Sequence, residues 1–188
     1  MANFLTASRI PVLGLLRGLN ARLPTDVAVM QVEEAPESFH ARADARGKEY
    51  LYRFSRAEVV SPFDGPFVAP VRGRLDIEAM RAAAAHFMGT HDFTSFCPAN
   101  SEIEDKVRTL TVSEVTESGP EVHYRVIGNG FLRHMVRTLA GTLFLAGRGR
   151  LDAGAVPLIL AARNRGGAGP VAPARGLCLE RVLYEEGT

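Results

Sequence analysis

The sequence predicts an α+β fold in which an antiparallel or mixed sheet is backed by helices. Three observations carry that expectation. Lys48-Glu49-Tyr50-Leu51-Tyr52-Arg53-Phe54 alternates, so Tyr50, Tyr52 and Phe54 share one face of a strand. Gly128-Asn129-Gly130 interrupts a strand-like run, and the residues after it repeat as a helix, with Phe131, Met135, Leu139 and Leu143 at i, i+4 spacing. Beyond the N-terminal stretch, the elements follow the order strand, helix, hairpin, two helices, strand.

In chain order, residues 8–22 read as a helix, with Ser8 as cap, Pro11 in the first turn and Pro24 as the stop. Residues 27–32 read as a strand. A polar connection over residues 36–46 is the expected boundary, dividing a short N-terminal piece (residues 1–40) from the main body (residues 41–188). After the aromatic strand and a long Pro/Gly loop, a helix over residues 76–88 is capped by Asp76 and stopped by Gly89. His91-Asp92-Phe93 follows. With no nucleophile at readable spacing, the His-Asp pair reads as a turn that caps and packs. Strands over residues 107–116 and 122–127 form a hairpin through Ser118-Gly119-Pro120. The Phe131 helix, a second helix over residues 152–162, a Gly/Ala/Pro loop and a closing strand over residues 176–184 complete the chain.

At 188 residues with 46% hydrophobic and 23% charged residues, the chain can bury a core and is not disordered. No apolar run approaches the ~20 residues of a membrane span, so no membrane partner is expected. Cys97 and Cys178 form no C-x-x-C. Cytoplasm is the expected compartment. The net charge of +1 gives no global sign of nucleic-acid binding. The charge distribution, however, concentrates arginines over residues 42–56 and 148–175, which suggests one positive face on a near-neutral body.

Residues that carry known chemistry narrow the field mainly by omission. There is no G-x-x-x-x-G-K, no G-x-G-x-x-G after a strand, no H-E-x-x-H and no G-x-S-x-G, and the five histidines share no metal spacing. On the Phe131 helix, Arg133 and Arg137 lie one turn apart, off the apolar band. Phe144 shares the angular sector of Arg137, which implies that this side too is covered. An arginine placed there needs a carboxylate or phosphate partner. Residue types alone therefore reach an Arg-rich domain that would suit an RNA-binding module or an enzyme.

Four segments carry a resemblance. They are Phe39-His40-Ala41-Arg42 with Lys48-Glu49-Tyr50-Leu51-Tyr52; Gly89-Thr90-His91-Asp92-Phe93-Thr94-Ser95-Phe96; Asn129-Gly130-Phe131-Leu132-Arg133-His134-Met135-Val136-Arg137; and Ala174-Arg175-Gly176-Leu177 through Tyr184. In this order they resemble the tRNA pseudouridine synthase A family. The resemblance implies a pseudouridine synthase-like fold and an isomerase that converts uridine to pseudouridine in the anticodon arm of tRNA, without cofactor or metal, as a homodimer. It also implies roles for three residues. Tyr50 would stack on the flipped base, Arg137 would pair with the catalytic aspartate, and Leu177 would wall the uracil pocket.

The chain departs from the family at the nucleophile. The family's aspartate sits in a G-R-T-D-A-G-like motif, and none of the seven aspartates here stands in that context. The expectation is a chain shortened at its N-terminus, by a mis-called start or a true truncation, and inactive by itself. The alternative is a non-catalytic RNA-binding remnant.

Overall fold

A computed structural model describes residues 1–184, in two compact units that divide between Ala45 and Arg46. The first unit holds one helix, α1 (Val12–Asn20), capped by Pro11 rather than Ser8. Ser8 instead turns the chain just ahead of it, its hydroxyl accepting the Ile10 N–H. The strand expected over residues 27–32 does not form. Asn20 occupies its hydrogen bonds, donating to the Val29 carbonyl and accepting the Val29 N–H at 2.8 Å each. A side-chain amide thus does what a neighbouring strand would do. Farther along, Asn3 brackets the 39–41 turn in the same way, donating to the Phe39 carbonyl and accepting the Ala41 N–H.

The second unit is built on a six-stranded mixed sheet. Its strands are β1 (Gly47–Ser55), β2 (Ala69–Pro70), β3 (Gly89–Asp92), β4 (Val107–Ser118), β5 (Glu121–Gly128) and β6 (Leu177–Leu183). The order β2-β1-β5-β4-β3 is antiparallel except for the short parallel pair β1–β2. On that same side of β1, β6 pairs antiparallel with residues 47–52 while β2 pairs with residues 54–55. The aromatic strand and the hairpin form where the alternation places them. β2 and β3 lie outside the sequence expectation, because two and four residues are too short to show a period of two.

Three helices cover one face. They are α2 (Ile77–Ala85), α3 (Met135–Gly147) and α4 (Ala155–Ala162). Asp76 caps α2, its carboxylate accepting the Ala79 N–H at 3.0 Å. Gly89 has φ +97° and starts β3. The residues between them form a turn, so α2 ends before Gly89. α3 begins at Met135 rather than Phe131, since His134 adopts a left-handed φ of 59° and bends the chain into the helix. Phe131 therefore packs ahead of the helix, while Met135, Leu139 and Leu143 are fully buried as their spacing predicts.

Tyr52, Phe54, Tyr124 and Val126 on the sheet meet Met80, Phe87, Phe93, Phe96 and the α3 stripe in one core. Phe144 is half-buried and stacks on Phe54 with ring centroids 6.3 Å apart, so α3 is covered on both sides. Burial of this apolar area is the main source of stability, on the order of 25 cal/mol per Å².

The opposite sheet face is charged. Glu49, 8% exposed, lies between the guanidinium groups of Arg125 and Arg181. Glu121 takes a bidentate bond from Arg53 and meets His123. Arg56 pairs with Glu117. The arginines of residues 42–56 were expected to contribute to a free positive face, yet two of them are matched by acids across the sheet.

Candidate functional site

Tyr50 and Leu177 lie where β6 joins β1, on the face that the helices cover, and Arg137 meets the segment that leads into β6. Tyr50 lies between Val126 on β5 and Leu179 on β6. It is half-buried, and its ring meets Phe131 edge-on with centroids 5.1 Å apart. Burial raises its phenol pKa, so the ring presents a neutral aromatic surface. Leu177 opens β6 directly opposite Tyr52 and packs half-buried against the core. Cross-strand partners share a face, which puts Leu177 on the side of Tyr50 and Tyr52.

Arg137 reaches this edge from the first turn of α3. Its Nε–H donates to the Ala172 carbonyl at 2.6 Å, and the Ala172 N–H donates back to the Arg137 carbonyl at 3.0 Å. Among the described residues Arg137 enters no ion pair, and its Nη groups have no protein acceptor. Burial pushes the Tyr52 pKa up to about 12, a rise opposed by the positive fields of Arg137 and Arg175. Both guanidiniums therefore act at Tyr52. Here the helix begins without an acidic residue, and His134 beside it is held below its ordinary pKa by burial, then by Arg137 and Arg133. At pH 7 the imidazole is neutral. The positive end of the helix and two arginines make this turn suited to an anion.

The segment after α4 fastens Arg137 in place, and sequence reasoning treated it only as loop. Gly169 N–H donates to Thr142 Oγ at 2.9 Å. Gly141 lies so close to Pro170 that a Cβ there would stand 1.8 Å from its carbonyl oxygen. A glycine in the middle of a helix, followed by a Gly-rich stretch, was the available signal of close backbone approach.

His91 and Asp92 form no catalytic pair. The Asp92 Oδ1 accepts the Thr94 N–H and hydroxyl, and Oδ2 meets Arg163 Nε at 3.0 Å. His91 Nε2 is bound to the Met88 carbonyl. These contacts cap the turn that buries Phe93. A concavity of about 820 Å³ beside them is lined by His86, His91, Pro157 and Arg163, not by Tyr50, Arg137 or Leu177. Among the described residues no group of three or more His, Cys, Asp or Glu is placed to hold a metal. No helix there is long and apolar enough to cross a membrane.

A family profile described as tRNA pseudouridine synthase matches residues 83–185. The tRNA pseudouridine synthase A of Moorella thermoacetica is 46% identical over 182 residues, covering 97% of this chain and 74% of that protein. The tRNA pseudouridine synthase A 1 of Bacillus cereus strain ATCC 10987 is 45% identical over 166 residues, covering 88% of this chain and 67% of its own length. The tRNA pseudouridine synthase A of Halalkalibacterium halodurans is 43% identical over 187 residues, covering 100% of this chain and 71% of the relative. The chain therefore belongs to the tRNA pseudouridine synthase A family.

Proposed function

We propose that the chain carries the uridine-recognising part of a tRNA pseudouridine synthase, which isomerises uridine to pseudouridine in the anticodon arm of tRNA. The observation that supports this best is Arg137, half-buried, tied through Nε to the Ala172 carbonyl in the segment that leads into Leu177, with no acceptor at either Nη group among the described residues. In the reaction an aspartate carboxylate attacks the nucleotide, the N1–C1′ bond of uridine breaks and the uracil turns. A C5–C1′ bond then forms, the aspartate is released, and N1 takes up a proton while C5 loses one. Arg137 holds that carboxylate by a charge-assisted pair, Tyr50 stacks on the flipped uracil, and Leu177 closes the pocket's apolar wall. Exposed arginines hold the tRNA backbone without reading its sequence.

In this reading residues 1–40 are a remnant of an N-terminal half-domain, and residues 41–188 form the catalytic-type domain. The active species is a cytoplasmic homodimer. None of the seven aspartates in this sequence stands in an R-T-D context. The carboxylate that meets Arg137 is therefore not among these residues.

The test is tritium release from tRNA labelled at uridine C5, run beside a binding assay with an anticodon-arm hairpin. The 188-residue chain binds the hairpin and releases no tritium. Robust release would place the nucleophile among the aspartates present. A plain RNA-binding remnant would bind with a steep salt dependence and show no preference for a uridine over an abasic target position.

A further inference from the structure

Tyr52 is completely buried, and its ring packs on Phe54 with centroids 4.7 Å apart. Packing alone would be served by phenylalanine, so the hydroxyl is the informative atom. It donates to the Pro173 carbonyl at 2.8 Å. Pro173 is the neighbour of Ala172, the residue that exchanges two hydrogen bonds with Arg137. The same ring also bounds the far end of the segment, where a Cβ on Gly176 would stand 2.7 Å from the Tyr52 Cζ. Leu177, the next residue, is the cross-strand partner of Tyr52. One side chain thus touches the stretch from Pro173 to Leu177 at both ends. Upstream, the Gly169 N–H bond to Thr142 Oγ fixes where that stretch begins.

We infer that Tyr52 is a positioning residue that latches the 172–176 segment, so that Arg137 and Leu177 are held on the same side as Tyr50. Through Pro173 it fixes the Ala172 carbonyl, and that carbonyl orients the guanidinium by its Nε edge. The two Nη groups are then left facing outward to meet an anion, as a bidentate pair requires. Without the hydroxyl, the Pro173 carbonyl loses its donor, the segment loosens, and Arg137 samples other rotamers. This rests on the role proposed for Arg137 above, and it adds a residue that touches neither uracil nor carboxylate.

The test uses the whole chain and two readouts. The first is solvent exchange of the arginine Nε–H groups, followed by nitrogen-15 NMR. The second is the affinity ratio between an anticodon-arm hairpin with uridine at the target and the same hairpin with an abasic target. In the unsubstituted chain the Arg137 Nε–H is protected. Tyr52→Phe keeps the ring and removes the hydrogen bond, so Arg137 Nε–H exchange quickens by about fivefold, the equivalent of one net hydrogen bond. The Nε–H groups of Arg53 and Arg125, ion-paired on the opposite face, stay as they were. The uridine preference falls by a similar factor. Gly176→Ala, which pushes on the ring from the other side, gives the same signature without touching the hydroxyl. Unchanged Arg137 exchange and unchanged preference in Tyr52→Phe overturn the latch and leave Tyr52 as packing. If the unsubstituted chain shows no uridine preference, the reading of the Tyr50 and Leu177 pocket fails, while the Arg137 Nε–H exchange still decides the latch by itself.

Discussion

Arg137 commits one donor to a backbone carbonyl and keeps the rest of its fork open, an arrangement that suits a guanidinium and not an ammonium. Arg137→Lys should therefore fail to rescue what Arg137→Ala loses. In a chain without the aspartate carboxylate the open fork is left to an RNA phosphate, so both are expected to weaken the hairpin by about tenfold whether or not the target base is present, measured by fluorescence anisotropy. Tyr50→Ala should cost a similar factor through lost stacking, about 1–3 kcal/mol per base.

On the other face, the bonds from Arg125 and then Arg181 hold the Glu49 carboxyl below its ordinary 4.5. Its folded-state pKa is depressed, so its stabilisation is fully present above the unfolded value. It disappears as pH falls through the folded value. Glu49→Gln should lower stability by about 1 kcal/mol at pH 7. The gap between the two melting curves should narrow below pH 4.5. A gap that is constant from pH 7 to pH 3 would mean the carboxylate charge contributes nothing. Most of these contacts were beyond sequence reasoning. Alternation put Tyr50 and Tyr52 on one face, but nothing in the residue order tells which hydroxyl finds a carbonyl more than a hundred residues away.

The elements show the same division. Strands and helices with several turns of periodicity are where the pattern places them, as β1, β4, β5 and the buried stripe of α3 illustrate. The misses are elements set by tertiary contact. Residues 27–32 have strand propensity but pair with no strand among the described residues, and the Asn20 amide takes the Val29 hydrogen bonds. β2 exists only because it lies alongside the end of β1. Phe131 has the right spacing for α3 but is cut off by the left-handed turn at His134, which instead swings it onto Tyr50.

The α3–loop contact is a property of the element and not of one side chain, because it depends on the absence of a Cβ at Gly141. Gly141→Ala should force helix and loop apart, since the added carbon would stand 1.8 Å from the Pro170 oxygen. The expected cost is about 2 kcal/mol or more, read from urea denaturation. Loss of protection at the Arg137 Nε–H would accompany it. A neutral Gly141→Ala would mean the loop is not held against α3.

At the scale of the molecule, charge and apolar surface pull in different directions. Arginines that look like an RNA-binding surface in the sequence are in part matched on the sheet by Glu49, Glu117 and Glu121. The remaining exposed ones include Arg133, whose field acts at His134, and Arg175, whose field acts at Tyr52. Hairpin binding should therefore weaken steeply with salt, while uridine preference, set by stacking on Tyr50 and the apolar Leu177 wall, should change little. Large apolar side chains also stand exposed in each unit, among them Leu5, Met30, Phe63 and Phe67. Self-association that strengthens with salt is the expected consequence, visible by sedimentation velocity.

The most direct measurement is the ratio of hairpin affinities with uridine and with an abasic sugar at the target position, at one salt concentration. A site in which Tyr50 stacks on the base and Leu177 walls the pocket gives about tenfold tighter binding to the uridine form, and the ratio collapses toward one in Tyr50→Ala. Equal affinity for both hairpins in the unsubstituted chain would contradict it.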